Sequence, residues 1–113
     1  MIKVYGIKNC DSVKKALSFF KKHSLEHTLH DFKTQSVDLE LIHKWLQKVE
    51  IAKLFNSRST TYRNLKLKEL NLDDTQKAQY LSQENLLIKR PVVEYEDEIL
   101  VGFDEQIYTK VFL

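Results

Sequence analysis

Cys10 is the only cysteine of the chain, and its setting makes it the first place to look for chemistry. It follows a short apolar stretch, Ile2, Val4, Tyr5 and Ile7, interrupted at Gly6, and it precedes Asp11 and Ser12, two residue types suited to a helix start. A thiol at a strand-turn-helix junction faces unpaired backbone N–H groups and the positive end of the helix macrodipole, while Lys8, Lys14 and Lys15 add cationic charge. Such a setting favours the thiolate, which is the nucleophile. The plain alternative is a small buried hydrophobe, the commonest fate of a free cysteine. The junction tips the reading toward reactivity, provided that the carboxylate of Asp11 faces outward or caps the helix. With no second cysteine, an intrachain disulfide and a thiolate cage for zinc are both excluded. Any cysteine chemistry must be monothiol and take its second sulfur from another molecule.

Other residues have weaker claims. Ile88-Lys89-Arg90-Pro91 contains the only proline, just before a strand-like run. Its bland reading is an edge-strand entry with two solvated cations. Its functional reading is a cis Arg90–Pro91 bond that sets backbone and guanidinium beside Cys10, where a planar cation binds carboxylates or oxyanions bidentately. The sequence by itself favours the bland version, and it does so for Arg58 and Arg63 around the Ser57 to Tyr62 loop as well. His23, His27, His30 and His43 have no convincing metal spacing. Tyr5, Phe19, Phe20, Trp45 and Phe55 read as core packing rather than a nucleic-acid stacking platform.

The elements that must position Cys10 follow from periodicity. Ile2 to Tyr5 is a strand. Val13, Ala16, Leu17 and Phe20 then recur at helical spacing, with Lys14, Lys15, Lys21 and Lys22 largely opposite, which gives a helix of about three turns. Leu25 to Phe32 reads as a second strand, parallel to the first through a right-handed crossover. Ser36 to Val49 opens at a cap on Ser36 or Asp38 and carries the stripe Leu39, Leu41, Ile42, Trp45, Leu46, Val49. Further short helices run to about Glu84, the last of them capped by Asp73 or Asp74. Strand character returns in Leu87 and Ile88, then in Pro91-Val92-Val93 and Ile99-Leu100-Val101 around an acidic turn at Glu96-Asp97-Glu98, and Asp104 caps a final helix. Four strands are expected near residues 2–5, 26–30, 91–95 and 99–102, in one α/β domain over 1–113 with a helical lobe at about 36–85.

Composition bounds the class. At 113 residues, with 42% hydrophobic and 30% charged, the chain suits one domain. Eighteen Lys and Arg against sixteen Asp and Glu leave +2, interspersed, so no electrostatic footprint for nucleic acid or an anionic membrane stands out. No apolar run approaches the ~20 residues of a membrane helix and no secretory leader precedes Tyr5, so a cytoplasmic monomer with no direct nucleic-acid or membrane partner is expected.

These segments also carry a family likeness. Tyr5-Gly6-Ile7-Lys8-Asn9-Cys10-Asp11-Ser12-Val13-Lys14-Lys15-Ala16, His30-Asp31-Phe32, Leu54-Phe55-Asn56-Ser57-Arg58, Tyr62-Arg63-Asn64-Leu65, Ile88-Lys89-Arg90-Pro91-Val92 and Val101-Gly102-Phe103-Asp104 together resemble the ArsC/Spx superfamily, and within it the YffB branch of small bacterial proteins. The resemblance implies a thioredoxin-like fold, βαβ then ββα around a mixed four-stranded sheet, with a helical insertion. It implies that Cys10 is the reactive thiol and Pro91 a cis-proline facing it, with Arg90, Pro91, Arg58, Lys8 and Asn9 as substrate or glutathione contacts. No bound cofactor or metal is implied; glutathione is the reductant, with glutaredoxin as a partner, and the substrate is a small oxyanion or a thiol or disulfide.

In arsenate reductases of the superfamily three arginines hold the oxyanion. Here Arg90 matches one, Arg58 lies about two residues out of register for a second, and Phe103 replaces the third. Gly6 stands where those enzymes carry a histidine, and Val13 where they carry a serine. The implied activity is therefore monothiol, glutathione-linked thiol-disulfide reduction, with arsenate reduction as the alternative. An Spx-like regulator that binds RNA polymerase is a further alternative, although Cys10-Asp11-Ser12-Val13 lacks the Cys-x-x-Cys switch typical of that group.

Overall fold

The apolar stretch at the amino terminus forms strand β1 (Ile2–Gly6), and the amphipathic segment after it forms helix α1 (Asp11–Lys22). Strand β2 (His27–Asp31) runs parallel to β1, from Ile2 opposite His27 to Gly6 opposite Asp31. Strands β3 (Val92–Tyr95) and β4 (Glu98–Val101) form an antiparallel hairpin, and β3 pairs antiparallel with β1, giving the sheet order β2-β1-β3-β4. This is the expected mixed four-stranded sheet of a thioredoxin-like fold. The hairpin turn is tighter than the three acidic residues imply: Glu96 and Asp97 alone form it, both at positive φ, and Glu98 already belongs to β4. Gly6, read from the sequence as an interruption, is the last residue of β1.

The computed structural model describes residues 1–113 and resolves them into two units, Met1–Asp31 with Arg90–Leu113, and Phe32–Lys89. In the first, one face of the sheet is covered by α1 and by a C-terminal helix, Glu105–Phe112, whose start Asp104 caps by accepting from the N–H groups of Gln106 and Ile107 at 3.0 and 3.2 Å. Val4, Val13, Ala16, Phe19, Phe20, Val93 and Tyr108 form the buried cluster between them, with Cys10 and Phe103 packed at its margin. Phe19 lies off the stripe Val13, Ala16, Leu17, Phe20, yet it is buried and Leu17 only partly so. The reason is that α1 meets aromatic rings beyond the sheet, Phe103 and Tyr108, on its Phe19 side.

The second unit contains α2 (Leu39–Leu46), α3 (Ile51–Leu54), α4 (Thr60–Asn64) and α5 (Asp74–Gln83), with 3₁₀ turns at Leu67–Leu70 and Asn85–Leu87. Leu87 and Ile88, strand-like in sequence because they are apolar, instead end the second of these turns as buried core residues, and Ile88 makes only an isolated bridge to Phe55. Helix α2 is shorter than the periodicity from Ser36 to Val49 predicts. Asp38, not Ser36, takes the N-cap and accepts from the Leu41 N–H at 3.0 Å, and the chain after Leu46 closes in turns onto the carbonyls of Lys44 and Trp45. Asp73 caps α5 in a reciprocal capping box with Gln76. Ile42, Trp45, Leu54, Leu81, Leu87 and Ile88 are fully buried. No helix of the chain is long and apolar enough to cross a membrane.

Candidate functional site

Cys10 occupies the N-cap of α1. Its backbone is extended, with φ −141° and ψ 124°, its carbonyl accepts the Lys14 N–H at 2.9 Å, and its side chain makes no capping hydrogen bond. It is a free thiol, partly exposed. An N-cap side chain is placed to meet the N–H groups of the first turn, which have no partner within the helix. Asp11 is exposed and does not cap. Lys8 and Asn9 are exposed in the short connection between β1 and Cys10.

The Arg90–Pro91 peptide bond is cis, as the functional reading of that motif expects. Register gives its place in the unit. Tyr5 pairs with Val92, so the next residue on each strand brings Pro91 to the level of Gly6, at the end of β1 from which the chain runs to Cys10. On its other side the Pro91 carbonyl accepts the Gly102 N–H at 2.8 Å, which extends the β3–β4 ladder by one step. Pro91 is buried and Arg90 partly exposed. Cys10, Lys8, Asn9, Arg90 and Pro91 thus all belong to the sheet unit.

Arg58 belongs to the helical unit. It is exposed in the loop before α4, where its N–H donates to the Asn56 side chain at 3.1 Å and its carbonyl accepts from Arg63 Nη1 at 3.2 Å. The loop is fixed further by Ser59, whose Oγ donates to the Asn56 carbonyl at 2.9 Å and accepts from the Tyr62 N–H at 3.1 Å. The guanidinium of Arg63 is engaged in holding this loop, and Arg58 is exposed.

Two features escape a reading of the sequence alone. One is a groove of about 470 Å³ along α1, lined by Lys14, Lys15, Ser18 and Lys22 with Phe19, Phe103 and Glu105. It begins one helical turn beyond Cys10, and Phe19 in its lining belongs to the cluster against which Cys10 packs. The other is that Gly6 and Val13, two of the departures from the arsenate reductase pattern, form a single contact: a Cβ on Gly6 would stand 2.5 Å from Val13 Cγ2. No group of three or more His, Cys, Asp or Glu side chains is gathered as metal ligands.

Comparison with known proteins agrees with this architecture. The description of the ArsC family matches residues 5–111. An uncharacterized protein of Haemophilus influenzae is 42% identical over 113 residues, covering 99% of both chains. Among solved structures, a YffB protein superposes with a TM-score of 0.93 at 30% identity over 100% of both chains. An arsenate reductase (ArsC) related protein from Brucella melitensis superposes with a TM-score of 0.77 at 33% identity, over 98% of this chain and 93% of that one. Since the match runs from Tyr5 to Val111 and so takes in both the sheet and the helical insertion, the chain belongs to the ArsC family.

Proposed function

We propose that this protein is a monothiol, glutathione-linked thiol-disulfide reductase in which Cys10 is the nucleophile. The observation that carries the reading is the position of Cys10 at the N-cap of α1, partly exposed and without a side-chain capping bond. Reactive cysteines recur at helix N-termini because the first-turn N–H groups and the macrodipole stabilise an anion there. The Cys10 thiolate attacks the sulfur of a glutathione mixed disulfide, forming a Cys10–glutathione disulfide and releasing the substrate as its thiolate. A second glutathione thiolate then attacks the glutathione sulfur, returning Cys10 to the thiolate and leaving as glutathione disulfide. Over the two exchanges the substrate sulfur is reduced from disulfide to thiolate and one incoming glutathione sulfur is oxidised in its place, so one glutathione is consumed and glutathione disulfide leaves. An external thiol is required because the chain has no resolving cysteine; glutaredoxin is a second candidate for that role.

Arg90, at the entry to β3, is assigned the anionic end of glutathione or substrate, with Lys8 and Asn9 on the connection to Cys10 as further contacts. The lysines of the α1 groove give the surroundings of Cys10 the sign that attracts the glutathione carboxylates. Arg58 is the residue whose mutation tests for a second cation.

Arsenate reduction is the second reading, favoured by the name of the Brucella relative. Phe103 in place of an arginine and Gly6 in place of a histidine weigh against it here. The deciding assay follows glutathione-dependent reduction of hydroxyethyl-glutathione disulfide and of arsenate, each with glutaredoxin, for wild type, Cys10→Ser and Arg90→Ala. Turnover of the disulfide is expected to vanish in Cys10→Ser and to fall about tenfold in Arg90→Ala, the size of one charge-assisted contact. Arsenate turnover is expected to be weak or absent. Efficient, Cys10-dependent arsenate reduction would replace the first reading with the second.

A further inference from the structure

Gly6 does not need to be glycine for its backbone, because only Gly102 among the glycines has a positive φ. What the position lacks is space. A Cβ there would stand 2.5 Å from Val13 Cγ2, well inside van der Waals contact, with Cγ1 and Cβ of the same valine next at 3.5 and 3.6 Å. Val13 cannot readily swing away. It is fully buried among Val4, Ala16, Phe20 and Val93, and a β-branched side chain in a helix keeps one strongly preferred rotamer. The first turn of α1 therefore rests on the bare backbone at the end of β1.

Cys10 moves with that turn. It lies three residues before Val13, and its carbonyl is bonded to the Lys14 N–H. Pairing of the strands fixes Pro91 at the level of Gly6, so the height of the turn above Gly6 is also the height of Cys10 relative to the cis-proline edge of β3. We infer that Gly6 and Val13 form a seat that sets the position of Cys10, which makes Gly6 a positioning residue for the thiol. The inference rests on the reading of Cys10 as the nucleophile.

The geometry makes an asymmetric prediction. With Val13→Ala, both Cγ atoms are gone and the valine's Cβ, at 3.6 Å, is ordinary contact for a methyl group on residue 6. The test is the rate at which glutathione disulfide forms the Cys10 mixed disulfide, followed by mass spectrometry in folded wild type, Gly6→Ala, Val13→Ala and the double variant. Leu81→Ala, in the helical unit, serves as a destabilised control. Gly6→Ala is expected to slow the reaction at least about tenfold, as a displacement on the order of 1 Å can. The double variant should return to within about threefold of Val13→Ala, and Leu81→Ala should lose thermal stability without slowing.

Should Gly6→Ala alone fail to fold, Gly6→Val against Gly6→Ala, both in the Val13→Ala background, reads the same displacement, with the larger side chain slower. A folded Gly6→Ala that reacts like wild type, a double variant that does not recover, or equal rates for the two fallback variants overturns the inference. If wild-type Cys10 reacts no faster than an unstructured peptide thiol, the reading of Cys10 as nucleophile is what fails.

Discussion

In the sheet unit, Phe20 stacks on Tyr108 at 5.6 Å and meets Phe112 edge-on at 5.0 Å, while Phe19 meets Tyr108 edge-on at 5.6 Å. In the helical unit the corresponding place is held by an amide. Buried Asn85 accepts the Val37 N–H at 2.8 Å and donates to the carbonyls of Val37 and Leu81 at 3.2 and 2.8 Å. The contrast follows from what each unit contains. A sheet satisfies its own backbone, so its helices need only an apolar face, and polar contacts move to the rim: Tyr5 to Glu94 at 3.0 Å and Tyr108 to the Gly102 carbonyl at 2.7 Å. The helical unit is built of helices no longer than the ten residues of α5, too short to be stable alone, so its loops must be tied by side chains. The unit that carries Cys10 is thus the one whose geometry is set by strand register and ring packing.

Deleting a ring from the sheet unit should have the largest effect. Phe20→Ala removes a fully buried aromatic side chain and is expected to cost about 3–5 kcal/mol in urea unfolding; a loss below about 1 kcal/mol would mean that the cluster does not hold the unit. Asn85→Leu comes next, at about 2–4 kcal/mol, because it strands a buried N–H and two carbonyls. Hydrogen exchange at the Val37 amide should accelerate in this variant, and an unchanged rate would break the assignment of Asn85 as the tie.

The smallest effect is confined to alkaline pH. Burial, and after it the charge and hydrogen bond of Glu94, raises the Tyr5 phenol above its ordinary range; burial alone raises Tyr108. Both groups therefore hold their protons more tightly folded than unfolded. Their contribution is fully present below the unfolded value of about 10 and is lost as pH rises beyond it. Thermal unfolding should show a stability limb that declines above about pH 10, and Tyr108→Phe should flatten it; an identical limb in that variant would contradict the assignment.

The sequence made much of the sheet unit legible. Asp11 and Ser12 after an apolar strand place Cys10 at a helix start, and Asp104 marks the last helix, because caps and periodicity are local signals. The site was less legible. The Gly6–Val13 contact joins residues on two elements, and a glycine at a strand end reads locally as a break rather than as a seat. Phe19 falls outside a one-sided stripe because α1 meets the sheet and the rings of the C-terminal helix at once. Asn85 precedes Leu86-Leu87-Ile88, and nothing near it in sequence announces a bond to Val37, 48 residues away. The cis Arg90–Pro91 bond is one of two readings of the only proline, and the resemblance, not periodicity, favours it over the bland one.

The central claim is that Cys10, at the start of α1, is a reactive thiol resolved by glutathione. Its most direct test is a two-step mass measurement on wild type and Cys10→Ser. Glutathione disulfide should add one glutathione to Cys10 faster than to an unstructured peptide of the same local sequence, reduced glutathione should then remove it, and Cys10→Ser should show neither step. An adduct that forms no faster than on the peptide, or one that glutathione does not release, would contradict the account.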